Sequence, residues 1–245
     1  MSPSPVPPFA LFGAAHIVVM VLTVAVPVVL SRIVRRARSE TVTRRICIAL
    51  AAVLAVNQVT YWTYRFLTEG ALVFLREHLP LHLCSIAVVL SVIVLLTRAR
   101  LPYELTYFWG LAGTTNAIVT PELTEGFPDY HFIQYFISHS GIVATALFAT
   151  FGLGMRPTFR SLLRAFAWLN GLAAVLLLVN LALDSNYLYL CEAPVTASPL
   201  LFLPWPWYLI WLEVLAFGLF ALLYLPVYLG GRRRTTGSGS RIQET

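Results

Sequence analysis

Seven apolar runs, each bounded by charge or proline, fill most of the chain: Phe9–Leu30, Arg45–Leu67, Pro80–Leu96, Tyr103–Thr120, His131–Phe151, Leu162–Leu183 and Pro206–Leu229. About 20 apolar residues in a helix cross the hydrocarbon core of a bilayer. In that medium only helices and closed barrels satisfy their own backbone N–H and C=O groups. The runs therefore predict an all-α membrane protein, a bundle of seven transmembrane helices. Mean hydropathy is +0.77, and 11% of residues are charged, against about a quarter in a soluble domain. These values exclude a disordered chain, a disulfide-stapled secreted miniprotein and an ordinary cytosolic enzyme.

Charge placement gives the orientation. All 17 basic residues are arginine. Fifteen of them lie in the loops after runs one, three and five and in the C-terminal tail. The opposite loops carry Glu69, Glu77, Glu122, Glu125, Asp129, Asp184 and Glu192. By the positive-inside rule the N-terminus lies outside and the C-terminus is cytoplasmic. The net charge of +6 thus reflects topology, and no nucleic-acid partner is expected. Three units follow: a short segment 1–8 lacking the basic stretch of a cleaved signal, the membrane domain 9–230, and an Arg-rich tail 231–245 expected to be disordered. Neither half repeats the other, which weakens a transporter reading built on inverted repeats.

Polar residues within the runs converge on one depth. At about 1.5 Å rise per residue, His16, Tyr61, Cys84, Asn116, His139, Asn180 and Glu213 all fall about 6–12 Å below the outer surface. Ionisable groups at membrane depth are costly and should face the bundle interior or a wet cavity. For Asn57, Gln58, Asn170 and Asn180 taken singly, helix-to-helix hydrogen bonding is sufficient explanation. Packing alone requires no His, Cys and Glu at matched depth.

The string Leu79-Pro80-Leu81-His82-Leu83-Cys84-Ser85 places Cys84 in the first turn of a helix that Pro80 is expected to open. Free N–H groups and the positive dipole end there favour a thiolate. His82, two residues away, points elsewhere on the helix, so a base must come from another run. His139 is the best candidate, and His131, Tyr135 and His139 share one face at i, i+4 and i+8. A Cys–His pair is the minimum for nucleophilic acyl transfer. Asn116, His82 or the early-helix N–H groups could serve an oxyanion, and His16, Tyr61 and Glu213 complete the candidate set. Two other readings of Cys84 stand beside this one, an inert packed thiol and a disulfide with Cys191. Cys47 is inert in each. No metal site is expected, because Pro80 separates His78 from His82 and no third ligand accompanies them. Arg65 is expected to snorkel to the outer interface. No cofactor is expected, since no Gly-rich phosphate cradle is present.

Several strings carry a resemblance: Leu-Pro-Leu-His-Leu-Cys (79–84), Tyr-Phe-Trp-Gly-Leu-Ala-Gly (107–113), Ser138-His139, Asn186 to Cys191, and Pro204-Trp205-Pro206-Trp207-Tyr208. In this order they resemble the bacterial YwaF-type integral membrane proteins, related to the animal transmembrane protein 164 acyltransferases. That resemblance implies a multi-pass protein of the bacterial plasma membrane. It further implies acyl transfer between phospholipid and lysophospholipid through a thioester on Cys84, with His139 as its base and membrane lipids as partners. A transporter or receptor with an outer polar cavity, and a scaffold without a substrate, are the competing expectations.

Overall fold

The computed structural model describes residues 7–193 and 203–239. Its helices are α1 (Ala14–Ala37), α2 (Glu40–Val73), α3 (Leu83–Thr97), α4 (Arg100–Leu105), α5 (Leu111–Val119), α6 (Tyr130–Phe151), α7 (Phe159–Leu183) and α8 (Trp207–Gly239). A π turn over Thr106–Gly110 joins α4 to α5, and right-handed helical angles at its ends make 100–119 one rod. No β-strand occurs among the described residues; a lone bridge pairs Pro8 with Glu125.

Among the described residues, five helices are long and apolar enough to cross a membrane: α1, α2 with the π turn that follows it, α6, α7, and α8 to Gly230. The 15 residues of α3 reach only about 22 Å, short of a full hydrocarbon core. Several expected boundaries move: α1 begins at Ala14 and ends at Ala37, where Phe9–Leu30 was expected, and α2 spans Glu40–Val73, where Arg45–Leu67 was expected. Pro80 does not open α3; it lies in a turn, where Leu81 N–H bonds the Leu79 carbonyl at 2.6 Å, and the helix begins at Leu83. The last helix runs past Leu229 to Gly239. Residues 1–6 of the short N-terminal segment and 240–245 of the tail lie outside the described residues.

Local chemistry sets several helix starts. Ser39 caps α2 through Val42 N–H, Asp129 caps α6 through His131 N–H, and Thr158 and Ser161 form a reciprocal capping box on α7. At the far end of α2, Gly70 takes φ +83°, a left-handed angle that suits glycine, and turns the chain into a π turn over Phe74–His78.

Helix α6 is the axis of the bundle and packs against α1, α2, α3 and α5. It has the lowest mean hydropathy of the five long helices, 1.4, and its apolar window is 67% buried, whereas α1 has 2.6 and 22%. The least apolar helix lies inside and the most apolar faces outward, as lipid solvation requires. Leu67, Leu178 and Leu181 are correspondingly exposed. Glycines allow close approach at the axis: a Cβ on Gly141 would stand 2.3 Å from Leu54 Cδ2, and one on Gly110 2.5 Å from Ile142 Cγ2.

The Arg-rich end is tied by an ion cluster absent from the sequence reading. Glu104, only 2% exposed, accepts Arg100 Nε at 2.7 Å, Ser161 Oγ at 2.7 Å and Arg164 Nη1 at 2.9 Å. Both guanidinium groups are about half exposed and can rehydrate, so Glu104→Ala is expected to cost about 2–3 kcal/mol, less than a fully buried pair. Thermal unfolding in detergent should fall by about 5–10 °C; an unchanged midpoint would remove this cluster from the stability account.

Candidate functional site

The turn before α3 positions its first residues. His82 is the N-cap but gives no side-chain cap; its Nε2 donates to the Glu77 carbonyl at 3.1 Å and its ring packs edge-on against Tyr187 at 4.9 Å. Among the described residues, no N-cap side chain takes the opening N–H groups of α3. Cys84, half-buried, is the second helical residue beside them. It lines a cavity of about 590 Å³ bounded by α2, α3, α6 and the loops after α5 and α7.

His139 lines the same cavity from α6. Its Nδ1 lies 2.8 Å from the Tyr135 carbonyl oxygen, which can only accept. Nδ1 therefore carries the proton, and in the neutral ring Nε2 keeps its lone pair, as a general base requires. The ring stacks on Tyr135 with centroids 4.0 Å apart, and the Tyr135 hydroxyl donates to the Ala117 carbonyl at 2.9 Å. These contacts fix the imidazole from two sides. His131, Tyr135 and His139 all lie on the lining, as their spacing predicted. No hydrogen bond joins Cys84 to His139 among the described residues; they meet across the cavity, and catalytic contacts in ligand-free sites are commonly long.

Helix α2 contributes Gln58, Tyr61 and Arg65 to the lining. Arg65 pairs with Glu69 and lies over the Tyr61 ring, 5.5 Å from its centroid. Glu69 also accepts His78 Nε2 at 2.5 Å, while His78 Nδ1 stands 3.3 Å from the Tyr61 hydroxyl. The expected snorkelling arginine is thus part of the cavity wall. Below it, Asn57 Nδ2 donates to Ser138 Oγ at 2.8 Å and to the Gln134 carbonyl at 3.2 Å, joining α2 to α6.

The loop after α7 closes another side. Asn180 accepts Tyr187 N–H at 2.8 Å, and the fully buried Tyr187 donates its hydroxyl to the Leu75 carbonyl at 3.0 Å. This anchoring holds Leu188 and Tyr189 on the lining with φ of 58° and 54°, two successive left-handed non-glycine residues. Such strain costs about 1–3 kcal/mol per residue and concentrates at functional sites. Burial pushes the Tyr189 phenol pKa up, so it remains an O–H donor at neutral pH. Glu122, from the loop after α5, also lines the cavity. Nothing in the periodicity of the sequence marks Tyr189 or Glu122.

Of the seven residues expected at the site, Cys84, His139, His82 and Tyr61 share this cavity, and three do not. His16 is buried, but its Nε2 faces the Ile118 carbonyl at 2.7 Å and its Nδ1 accepts Phe12 N–H at 3.0 Å, so it ties α1 to α5. Asn116 is on the exposed side of its helix, where its Oδ1 accepts the Thr120 hydroxyl at 3.4 Å. Glu213 accepts Asn170 Nδ2 at 3.0 Å between α7 and α8, away from the cavity. Cys84 and Cys191 are free thiols, which removes the disulfide reading, and Cys47 is buried in packing. Among the described residues, Glu125, Asp129 and His131 bring ligand atoms within 4.8 Å of one another, but Asp129 already caps α6.

Comparison with known proteins bears on the whole chain. A protein of Treponema pallidum (strain Nichols), described as uncharacterized, is 30% identical over 120 residues, which cover 49% of this chain and 50% of that protein. The chain thus matches about half the length of this relative. No solved structure matches. The model of the TMEM164 family matches residues 11–224, a range that runs from the start of α1 into α8 and holds every residue of the Cys84 cavity. The chain is a multi-pass membrane protein and belongs to the TMEM164 family.

Proposed function

We propose that this protein is a cysteine-dependent acyltransferase that moves an acyl chain between phospholipid and lysophospholipid. The reading carries with it a seven-span bundle in a bacterial plasma membrane, N-terminus outside and C-terminus cytoplasmic, with the cavity open to the outer leaflet. One observation carries it: Cys84, in the first turn of α3, lines one cavity with His139, whose Nδ1 is committed to a carbonyl and whose Nε2 keeps its lone pair to take a proton.

The chemistry proceeds in two balanced halves. The Cys84 thiol gives its proton to His139 Nε2 as Sγ attacks the ester carbonyl carbon of a donor phospholipid. The N–H groups opening α3 stabilise the oxyanion. As the tetrahedral intermediate collapses, the ester C–O bond breaks, the leaving alkoxide takes the proton from His139, and a lysophospholipid departs. The acceptor's hydroxyl then gives its proton to His139 and attacks the thioester; the C–S bond breaks and the thiolate recovers the proton. No cofactor enters either half. Tyr189 is a further donor on the lining.

The first test is transfer of a deuterated acyl chain from phospholipid to lysophospholipid in liposomes containing purified protein. Transfer above protein-free liposomes is the expected result. Specific ligand uptake without transfer would favour a transporter or receptor, and inertness in both assays a scaffold. Orientation is tested separately. An impermeant thiol reagent applied to intact cells should label a cysteine introduced at Glu77 and spare one introduced at Arg35. The reverse pattern would invert the topology and remove the outer leaflet as the site of reaction.

A further inference from the structure

We propose that Arg65 is the phosphate-binding residue of the Cys84 cavity and makes the protein select lipids bearing a phosphodiester over neutral glycerides. The assignment rests on the acyltransferase reading for its biological meaning, but its physical basis is separate. Gln58, Tyr61 and Arg65 are spaced so that one face of α2 presents all three, and among the described residues Arg65 is the one Arg or Lys side chain on the lining. The Arg65 guanidinium is held in place rather than free to swing: Glu69 takes Nη1, and Tyr61 lies beneath the charge.

Its hydrogen bonding is incomplete. Arg65 Nε is buried and has no acceptor among the described residues. That Nε is closed off, so a ligand in the cavity meets the other end of the guanidinium, whose side chain is 26% exposed on the lining. The second oxygen of Glu69 is engaged by His78 Nε2 at 2.5 Å, so Glu69 does not chelate the guanidinium with both oxygens. Glu122, the only Asp or Glu on the lining, comes from the loop after α5 on another wall. A planar fork with a free donor suits an anion offering two oxygens. In a bilayer the phosphodiester is that anion, and it lies next to the ester carbonyls that Cys84 would attack.

Binding in detergent, read by native mass spectrometry, tests the assignment without requiring catalysis. The probes are lysophosphatidylglycerol and a monoacylglycerol with the same chain, each added to Cys84→Ala protein so that no acyl transfer occurs. The phosphate-bearing lipid should bind about 10- to 100-fold more tightly. Arg65→Gln should bring the two within about twofold of each other, by weakening lysophosphatidylglycerol alone, and Arg65→Lys should restore part of the difference. Glu69→Gln should keep or raise the preference, because it frees the guanidinium; a merely structural role for the Arg65–Glu69 pair predicts that Glu69→Gln behaves like Arg65→Gln. Preference surviving in Arg65→Gln, or lost in Glu69→Gln, overturns the proposal. Millimolar inorganic phosphate should not displace the lysolipid; displacement would make free phosphate the ligand and overturn the lipid assignment. Absence of acyl transfer in the wild type with the binding preference intact would refute the acyltransferase reading alone.

Discussion

Cys84→Ala is expected to lower acyl transfer by roughly 10⁴-fold or more, the scale seen when a catalytic nucleophile is removed. Cys84→Ser should be nearly as inactive. An alcohol ionises far less readily than a thiol, and a histidine suited to deprotonating sulfur activates it poorly. The loss should be chemical rather than structural, since Cys84 is only half-buried and forms no disulfide. Unfolding midpoints of both variants should therefore stay near that of the wild type. Cys47→Ala and Cys191→Ala should retain activity, because one thiol is packed away from the cavity and neither lines it. Wild-type turnover by Cys84→Ala would end the proposal.

His139→Ala should lower the rate by roughly 10²–10⁴, the usual worth of a positioned general base. His139→Gln is the sharper comparison, since its amide keeps polarity at the cavity wall but cannot accept and return a proton. A structural role would let glutamine rescue activity; the proposed role does not. Lipid binding should survive in both variants, because the phosphate is assigned to Arg65 on α2 and not to the imidazole. Equal loss of binding and turnover would make His139 a packing residue.

Much of the bundle was legible because lipid imposes a simple rule on composition, and each apolar run became a helical rod at nearly its expected place. Face was legible where the spacing repeats: the series His131, Tyr135 and His139 lines one cavity together. Azimuth was not legible for isolated residues. Asn116 and Glu213 face away from the cavity, because nothing within their own helices says which neighbour each side will meet. His16 is buried as its cost requires, but the Ile118 carbonyl near the end of α5 claims its ring nitrogen. Glu104 was overlooked because its partners come from α4 and α7, some 60 residues apart in sequence, and only the fold joins them. Loop residues were least accessible. Tyr189 reaches the cavity through left-handed backbone angles enforced by Tyr187 and Asn180, a placement with no periodic signature.

The covalent intermediate is the most direct test of the central claim. Purified protein should be incubated briefly with deuterated phospholipid in the absence of acceptor, quenched in acid, digested and analysed by mass spectrometry. The account predicts a deuterated acyl group on the peptide containing Cys84, released by neutral hydroxylamine, enriched when acceptor is withheld and absent from Cys84→Ala protein. Transfer of the deuterated chain to lysophospholipid with no adduct on Cys84 at any time point, or with the adduct on Cys47 or Cys191 instead, would contradict it.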